Sequence, residues 1–204
     1  MIVLEFEQGT PEWYQARLGI PTASGFDKII TPAGAPSRSA KEYQKQLAGE
    51  WMAGGVLEEE QFESFWMTRG KSLEPEARAA YEFWSDEKVK QVGFVFRDAM
   101  RDVGCSPDGL TETGGWENKC PKMATHVGYL LGGVVPSCYK PQVQGCMWIC
   151  DRQHWDFMSY HPATEPMIIR VERDEDFIRK LAKLVGAFNT ELRAIKQKLE
   201  KYRL

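Results

Sequence analysis

Asp108-Gly109-Leu110-Thr111-Glu112-Thr113-Gly114-Gly115-Trp116-Glu117-Asn118-Lys119 is the segment around which the rest of the chain is organised. It places a carboxylate ahead of a Gly-rich turn and a Glu-x-Lys triplet behind it. Alternate residues of a β-strand share one face, so Glu117 and Lys119 point the same way and Asn118 the other. A hairpin through Gly114-Gly115 folds Asp108 back beside Glu117. Two adjacent carboxylates repel each other unless something neutralises them, and a hard divalent cation such as Mg²⁺ does so through oxygen ligands. A neighbouring ammonium then suits a phosphate oxygen or an attacking water. These are the parts of metal-assisted phosphodiester hydrolysis. Asp-Gly turns and Glu-x-Lys pairs also occur on ordinary surface hairpins, so the triplet alone leaves both readings open.

Outward from this stretch, 204 residues of 43% hydrophobic content are enough for a substantial core in one domain, 1–204. No apolar run is long enough to span a bilayer, and Met1-Ile2-Val3-Leu4-Glu5-Phe6-Glu7 lacks the basic start and apolar block of a signal peptide. A cytoplasmic protein with no membrane partner is expected. Cys105, Cys120, Cys138, Cys146 and Cys150 are odd in number and contain no CxxC pair, which argues against a disulfide framework and a zinc site. The net charge of −3 does not by itself suggest a polyanionic partner. Its distribution is uneven: five acidic residues (Glu50, Glu58, Glu59, Glu60, Glu63) and no basic one occupy 50–66, while 170–203 holds ten basic against six acidic. One face can therefore be basic while the exterior stays acidic.

In chain order, Thr10-Pro11-Glu12 is a helix start and Gly19 a stop, which puts Arg17 in the last turn. Thr22-Ala23-Ser24-Gly25 begins a second short helix with Phe26, Ile29 and Ile30 toward the core, its free N–H groups and hydroxyls close to Arg17. Ser39-Ala40-Lys41-Glu42 reads as a capping box ahead of a helix carrying Tyr43, Leu47 and Trp51 up to Gly54-Gly55. A helix over 62–85 has Leu73, Ala77, Ala80, Tyr81 and Trp84 as its apolar stripe, with Glu74 at the edge. Strands are expected at 89–96, 100–106 and 116–120, helices at 124–131 and 136–150, and further strands at 155–160 and 167–171. A long helix from Asp174 carries an apolar stripe from Phe177 to Leu199. This order is an α/β arrangement with a central mixed β-sheet flanked by helices. His126, His154 and His161 read as structural or surface residues. No Walker loop, Rossmann fingerprint or nucleophile elbow is present.

The wording around the hairpin, Cys105-Ser106-Pro107-Asp108-Gly109-Leu110 and Trp116-Glu117-Asn118-Lys119-Cys120-Pro121, is joined in order by Trp13-Tyr14-Gln15-Ala16-Arg17-Leu18-Gly19, Arg69-Gly70-Lys71-Ser72-Leu73-Glu74 and Gln142-Val143-Gln144-Gly145-Cys146-Met147-Trp148. On these motifs the chain resembles the phage lambda exonuclease family, the YqaJ-type viral recombinases of the restriction-endonuclease-like superfamily. The resemblance implies a restriction-endonuclease-like core. It also implies a Mg²⁺-dependent 5′-to-3′ exonuclease on linear double-stranded DNA that releases 5′-mononucleotides and leaves a 3′ overhang for strand annealing. Carried over, it makes Asp108, Glu117 and Glu74 the carboxylates on two Mg²⁺ ions, with Mn²⁺ able to substitute, and the Asn118 carbonyl a backbone ligand. Lys119 then orients or deprotonates the attacking water or stabilises charge on the phosphate. Arg17, Ser24, Ser106, Gln142 and Gln144 match the 5′-phosphate pocket. A homotrimer around the DNA and a single-strand annealing partner are implied as well. The chain departs from the pattern in its short Asp108-to-Glu117 turn and in Asn118, where an apolar residue is often found. A structure-specific endonuclease or resolvase of the same superfamily, and a non-catalytic recombination accessory protein, are the competing readings.

Overall fold

The computed structural model describes residues 1–55 and 65–203. The helix start expected at Phe62, with Glu58, Glu59, Glu60 and Glu63 of the acidic run, lies outside the described residues. The chain opens on a strand the sequence reading did not anticipate, β1 (Ile2–Leu4), too short to show alternation. In α1 (Pro11–Arg17), Thr10 accepts from the Trp13 N–H and Pro11 sits in the first turn. Gly19 follows at φ +66 against the second helix, where a Cβ would come within 2.9 Å of Trp51 Cβ. Both the left-handed backbone and the close approach require glycine there. A 3₁₀ turn, Ala23–Lys28, buries Phe26. In α2 (Ala40–Ala53), the expected capping box does not form: Ser39 is already helical in conformation and its side chain caps nothing. The next helix, α3 (Phe65–Ser85), buries Ala77 and Tyr81, but Trp84 is 51% exposed and Phe83 79%, so the apolar stripe ends one turn earlier than expected.

The remaining elements are β2 (Phe94–Phe96), β3 (Gly104–Cys105), β4 (Gly109–Leu110), β5 (Gly115–Lys119), α4 (Met123–Gly132), α5 (Lys140–Cys150), β6 (His154–Ser159), β7 (Met167–Glu172) and α6 (Glu175–Leu199). The mixed sheet is four-stranded, in the order β4-β5-β6-β7, with β5 parallel to β6 and the outer pairs antiparallel. Beside it lies an antiparallel sheet, β1-β2-β3. The strands expected at 89–96 and 100–106 are therefore much shorter, and what was read as one sheet is two. Pro107, which has no N–H to donate, stands between β3 and β4, where the chain leaves one sheet for the other. The two sheets are stitched where Lys90 and Leu110 exchange backbone hydrogen bonds of 2.8 and 2.9 Å.

The mixed sheet is covered on both faces. Trp116 and Met158 meet Ala77 and Tyr81 of α3 on one side, and Trp155 and Phe157 join the main core with α5, α6 and the 3₁₀ turn on the other. Both neighbours β5 and β6 are thus buried on two faces, the situation of a parallel pair in α/β folds. Asp156, buried under α3, is satisfied by Tyr81 Oη at 2.8 Å and by Arg170. His126 is fully buried and bridges Ser159 and Thr164 at 2.7 and 2.8 Å, with His161 stacked on it, so two of the histidines form one structural network. Among the described residues no helix is long and apolar enough to cross a membrane.

Candidate active site

The hairpin brings Asp108 and Glu117 together as alternation demands. β4 and β5 pair Gly109 with Trp116 and Leu110 with Gly115, and the turn closes through the Gly114 N–H donating to Thr111 Oγ1 at 3.0 Å. Gly115 passes under Trp155, whose ring leaves no room for a Cβ. Asp108 Oδ2 accepts from the Asn118 N–H at 2.7 Å. Glu117 is 1% exposed, and its Oε1 accepts from Lys119 Nζ at 2.5 Å and from Gln142 Nε2 at 2.6 Å. Glu117 Oε2 is buried with no hydrogen-bond partner. Asn118 turns the other way, its Nδ2 donating to Cys120 Sγ at 3.2 Å.

The electrostatics of this cluster follow from its geometry. Burial, and then the Glu117 charge, push the Asp108 carboxyl well above its ordinary range, with Glu74 adding to the effect and Lys119 and the Asn118 N–H opposing it. Burial disfavours the Lys119 ammonium, but Glu117 and Asp108 outweigh it and leave the group raised and cationic. Lys119 also lies 5.2 Å from the Tyr139 ring centroid. Burial raises the Glu74 carboxyl as well. Among the described residues no three His, Cys, Asp or Glu side chains stand close enough to hold an ion by themselves. Glu74 reaches the pair through its field and shares a cavity with Asp108. A Mg²⁺ ion commonly uses one or two carboxylates and keeps several waters. The unpartnered Glu117 oxygen beside a repelled Asp108 fits such a cation.

A cavity of about 1000 Å³ is lined by Asp108 and Glu74 together with Arg17, Ser24, Trp13 and Tyr43. The Arg17 guanidinium lies 4.2 Å from the Trp13 ring centroid, and no carboxylate of the described residues pairs with it. Ser24 Oγ is 3.2 Å from Thr22 Oγ1. Ser106 accepts from Trp13 Nε1 at 2.8 Å, which ties α1 to the chain just before Asp108. Arg17 and Ser24 thus line one cavity, and Ser106 is joined to it through Trp13.

Gln144 is not in this group. It is 2% exposed, its Nε2 donates to the Glu172 carbonyl at 2.9 Å and its Oε1 accepts from the Asp174 N–H at 2.9 Å, so both amide ends latch α5 to the start of α6. Gln142 is the glutamine that faces the site: it bonds Glu117 and shares a small pocket with Ser24 and Tyr139. Tyr139 and Trp13 were missed as site residues. Trp13 stands four residues before Arg17, a spacing that stacks them on one helix face and could have been read. Tyr139 carries no such local signal.

The fold and the hairpin define a class, the restriction-endonuclease-like α/β core. Residues 12–153 match the YqaJ-like viral recombinase domain, and the chain belongs to that family. It is similar to the crystal structure of an alkaline exonuclease (LHK-Exo) from Laribacter hongkongensis, at 33% identity over 95% of this chain and 97% of that one, with a TM-score of 0.84. The structure of LHK-Exo in complex with dAMP matches with the same identity and coverage and a TM-score of 0.85. A phage related exonuclease from Haemophilus somnus 129PT shares the fold at 17% identity, over 88% of this chain and 96% of that one, with a TM-score of 0.69. No curated protein matches the chain.

Proposed function

We propose that this chain is a Mg²⁺-dependent exonuclease that digests the 5′-ended strand of linear duplex DNA to 5′-mononucleotides and leaves a 3′ overhang for recombination by strand annealing. The observation that carries the reading is the buried, unpartnered Oε2 of Glu117 beside Asp108 and the Lys119 ammonium. Similarity to LHK-Exo over nearly the whole of both chains supports it. Asp108, Glu117 and the Asn118 carbonyl would hold the metal, two ions per site with Glu74 facing the second, and Mn²⁺ could replace Mg²⁺. Bound there, such ions acidify a water and stabilise charge on a leaving oxygen. Lys119, kept cationic by its two carboxylates, orients the attacking water and draws charge from the phosphate, and does not act as a base while that pairing lasts. Gln142 donates to the same Glu117 oxygen as Lys119 and so leaves Oε2 as the oxygen open to a cation.

Arg17 receives the terminal 5′-phosphate. A terminal phosphate carries nearly two charges at neutral pH and a guanidinium can grip it through two hydrogen bonds, with Ser24 and Gln142 as neutral donors nearby. A homotrimer and an annealing partner complete the proposal, and light scattering tests the first. The decisive assay compares linear and covalently closed duplex with Mg²⁺ or EDTA. Linear DNA with 5′-phosphate ends should be digested only with the metal, Asp108→Asn should abolish digestion, and Arg17→Ala should reduce the preference for 5′-phosphate over 5′-hydroxyl ends. Cutting of the closed circle would make the protein an endonuclease, and no cutting of either would make it an accessory protein.

A further inference from the structure

The turn that follows Arg17 is gripped on both its polar groups by distant helices. Glu50 of α2 is only 9% exposed, and its Oε2 accepts from the Gly19 N–H at 3.1 Å. Lys196 of α6 donates to the Gly19 carbonyl at 2.7 Å. Gln46 Nε2 donates to Glu50 Oε1 at 3.3 Å, and Lys28, bonded to Gln46, closes the group against Tyr43. Glu50 lines the same cavity as Arg17, and its charge favours both the Arg17 guanidinium and the Lys196 ammonium. A buried carboxylate in a cavity that takes phosphate is unfavourable for the ligand by charge alone. Its place there calls for a positional reason.

We infer that Glu50 and Lys196 are positioning residues that hold the Gly19 turn, and through it Arg17, at the distance where a terminal 5′-phosphate is told from a terminal hydroxyl. The inference rests on the assignment of Arg17 to that phosphate. Misplacing a gripping group by about 1 Å is enough to cost a large factor in a positioned reaction. A charge-only role makes the opposite prediction, because removing the Glu50 charge would strengthen binding of a phosphate.

The test is digestion of duplexes with 5′-phosphate or 5′-hydroxyl ends by the full chain with Mg²⁺, with kcat and KM separated. Glu50→Ala should raise KM for 5′-phosphate ends at least ~10-fold, with kcat and the rate on 5′-hydroxyl ends near wild type. Glu50→Gln, which keeps an acceptor for the Gly19 N–H, should restore most of the preference. Lys196→Met leaves the carboxylate in place and carries the same expectation as Glu50→Ala, so it decides the matter if that variant does not fold. Wild-type discrimination in Glu50→Ala or Lys196→Met, or equal loss in Glu50→Gln and Glu50→Ala, would overturn the inference. A wild-type protein indifferent to the end group would instead overturn the assignment of Arg17.

Discussion

Asp108 sits beside Glu117 with its carboxyl held well above the ordinary range by burial and by that neighbour. An acid whose folded pKa exceeds its unfolded one contributes stability that is complete below the unfolded pKa and is lost as pH rises through the folded value. In metal-free protein, melting temperature should therefore fall as pH climbs above the usual carboxylate range, Asp108→Asn should flatten that fall, and Mg²⁺ should restore stability by binding the ionised pair. Thermal melts in EDTA and in Mg²⁺ across pH read this directly, and an unchanged slope in Asp108→Asn would remove Asp108 as its source. Lys119 poses a different question, because its ammonium is already paired with Glu117. Lys119→Ala should keep DNA binding and lower the single-turnover rate ~100-fold, the scale of losing one positioned electrostatic or proton-transfer group.

Helix α5 shows how far periodicity reads a site. Residues two apart on an α-helix are turned by about 200° from each other, so a Gln-x-Gln motif sends its two amides to opposite sides. Gln142 reaches Glu117 and Gln144 reaches Glu172 and Asp174. Gln144→Ala should cost ~1–3 kcal/mol in denaturant melts, the loss expected when buried partners go unsatisfied, and leave the end preference intact. Gln142→Ala should slow cleavage with little change in melting. The sequence shows that the two differ but not which faces the site, because that depends on how the helix is rolled against the sheet. The hairpin was legible for the opposite reason: Gly114-Gly115 and the two-residue alternation fix Asp108, Glu117 and Lys119 locally. Helix α1 was equally readable from Thr10, Pro11 and Gly19. Strand β1, three residues long, was not, since its pairing with β2 comes from a distant part of the chain.

At the scale of the molecule the net charge of −3 makes salt dependence informative. If the basic excess of the C-terminal segment contacts duplex phosphates, affinity should fall as salt rises with a log–log slope near −0.9 per phosphate neutralised, and a flat response in a binding titration would exclude such contacts. The carboxylate pair and the Arg17 turn also differ in how they are tied into the chain. The Asp108–Glu117 pair is closed by a hydrogen bond spanning 10 residues, Asn118 to Asp108, within one hairpin. The Arg17 turn is closed by a contact spanning 177, from Lys196 near the end of the last helix. Elements open separately, each with its own free energy, so a contact between two of them can be lost while a local one stays. Parting of α6 from α2 would thus undo the Arg17 turn while the hairpin that holds Asp108 beside Glu117 stays assembled, so on the proposed role of Arg17 a heated protein would lose its choice of end before it loses cleavage.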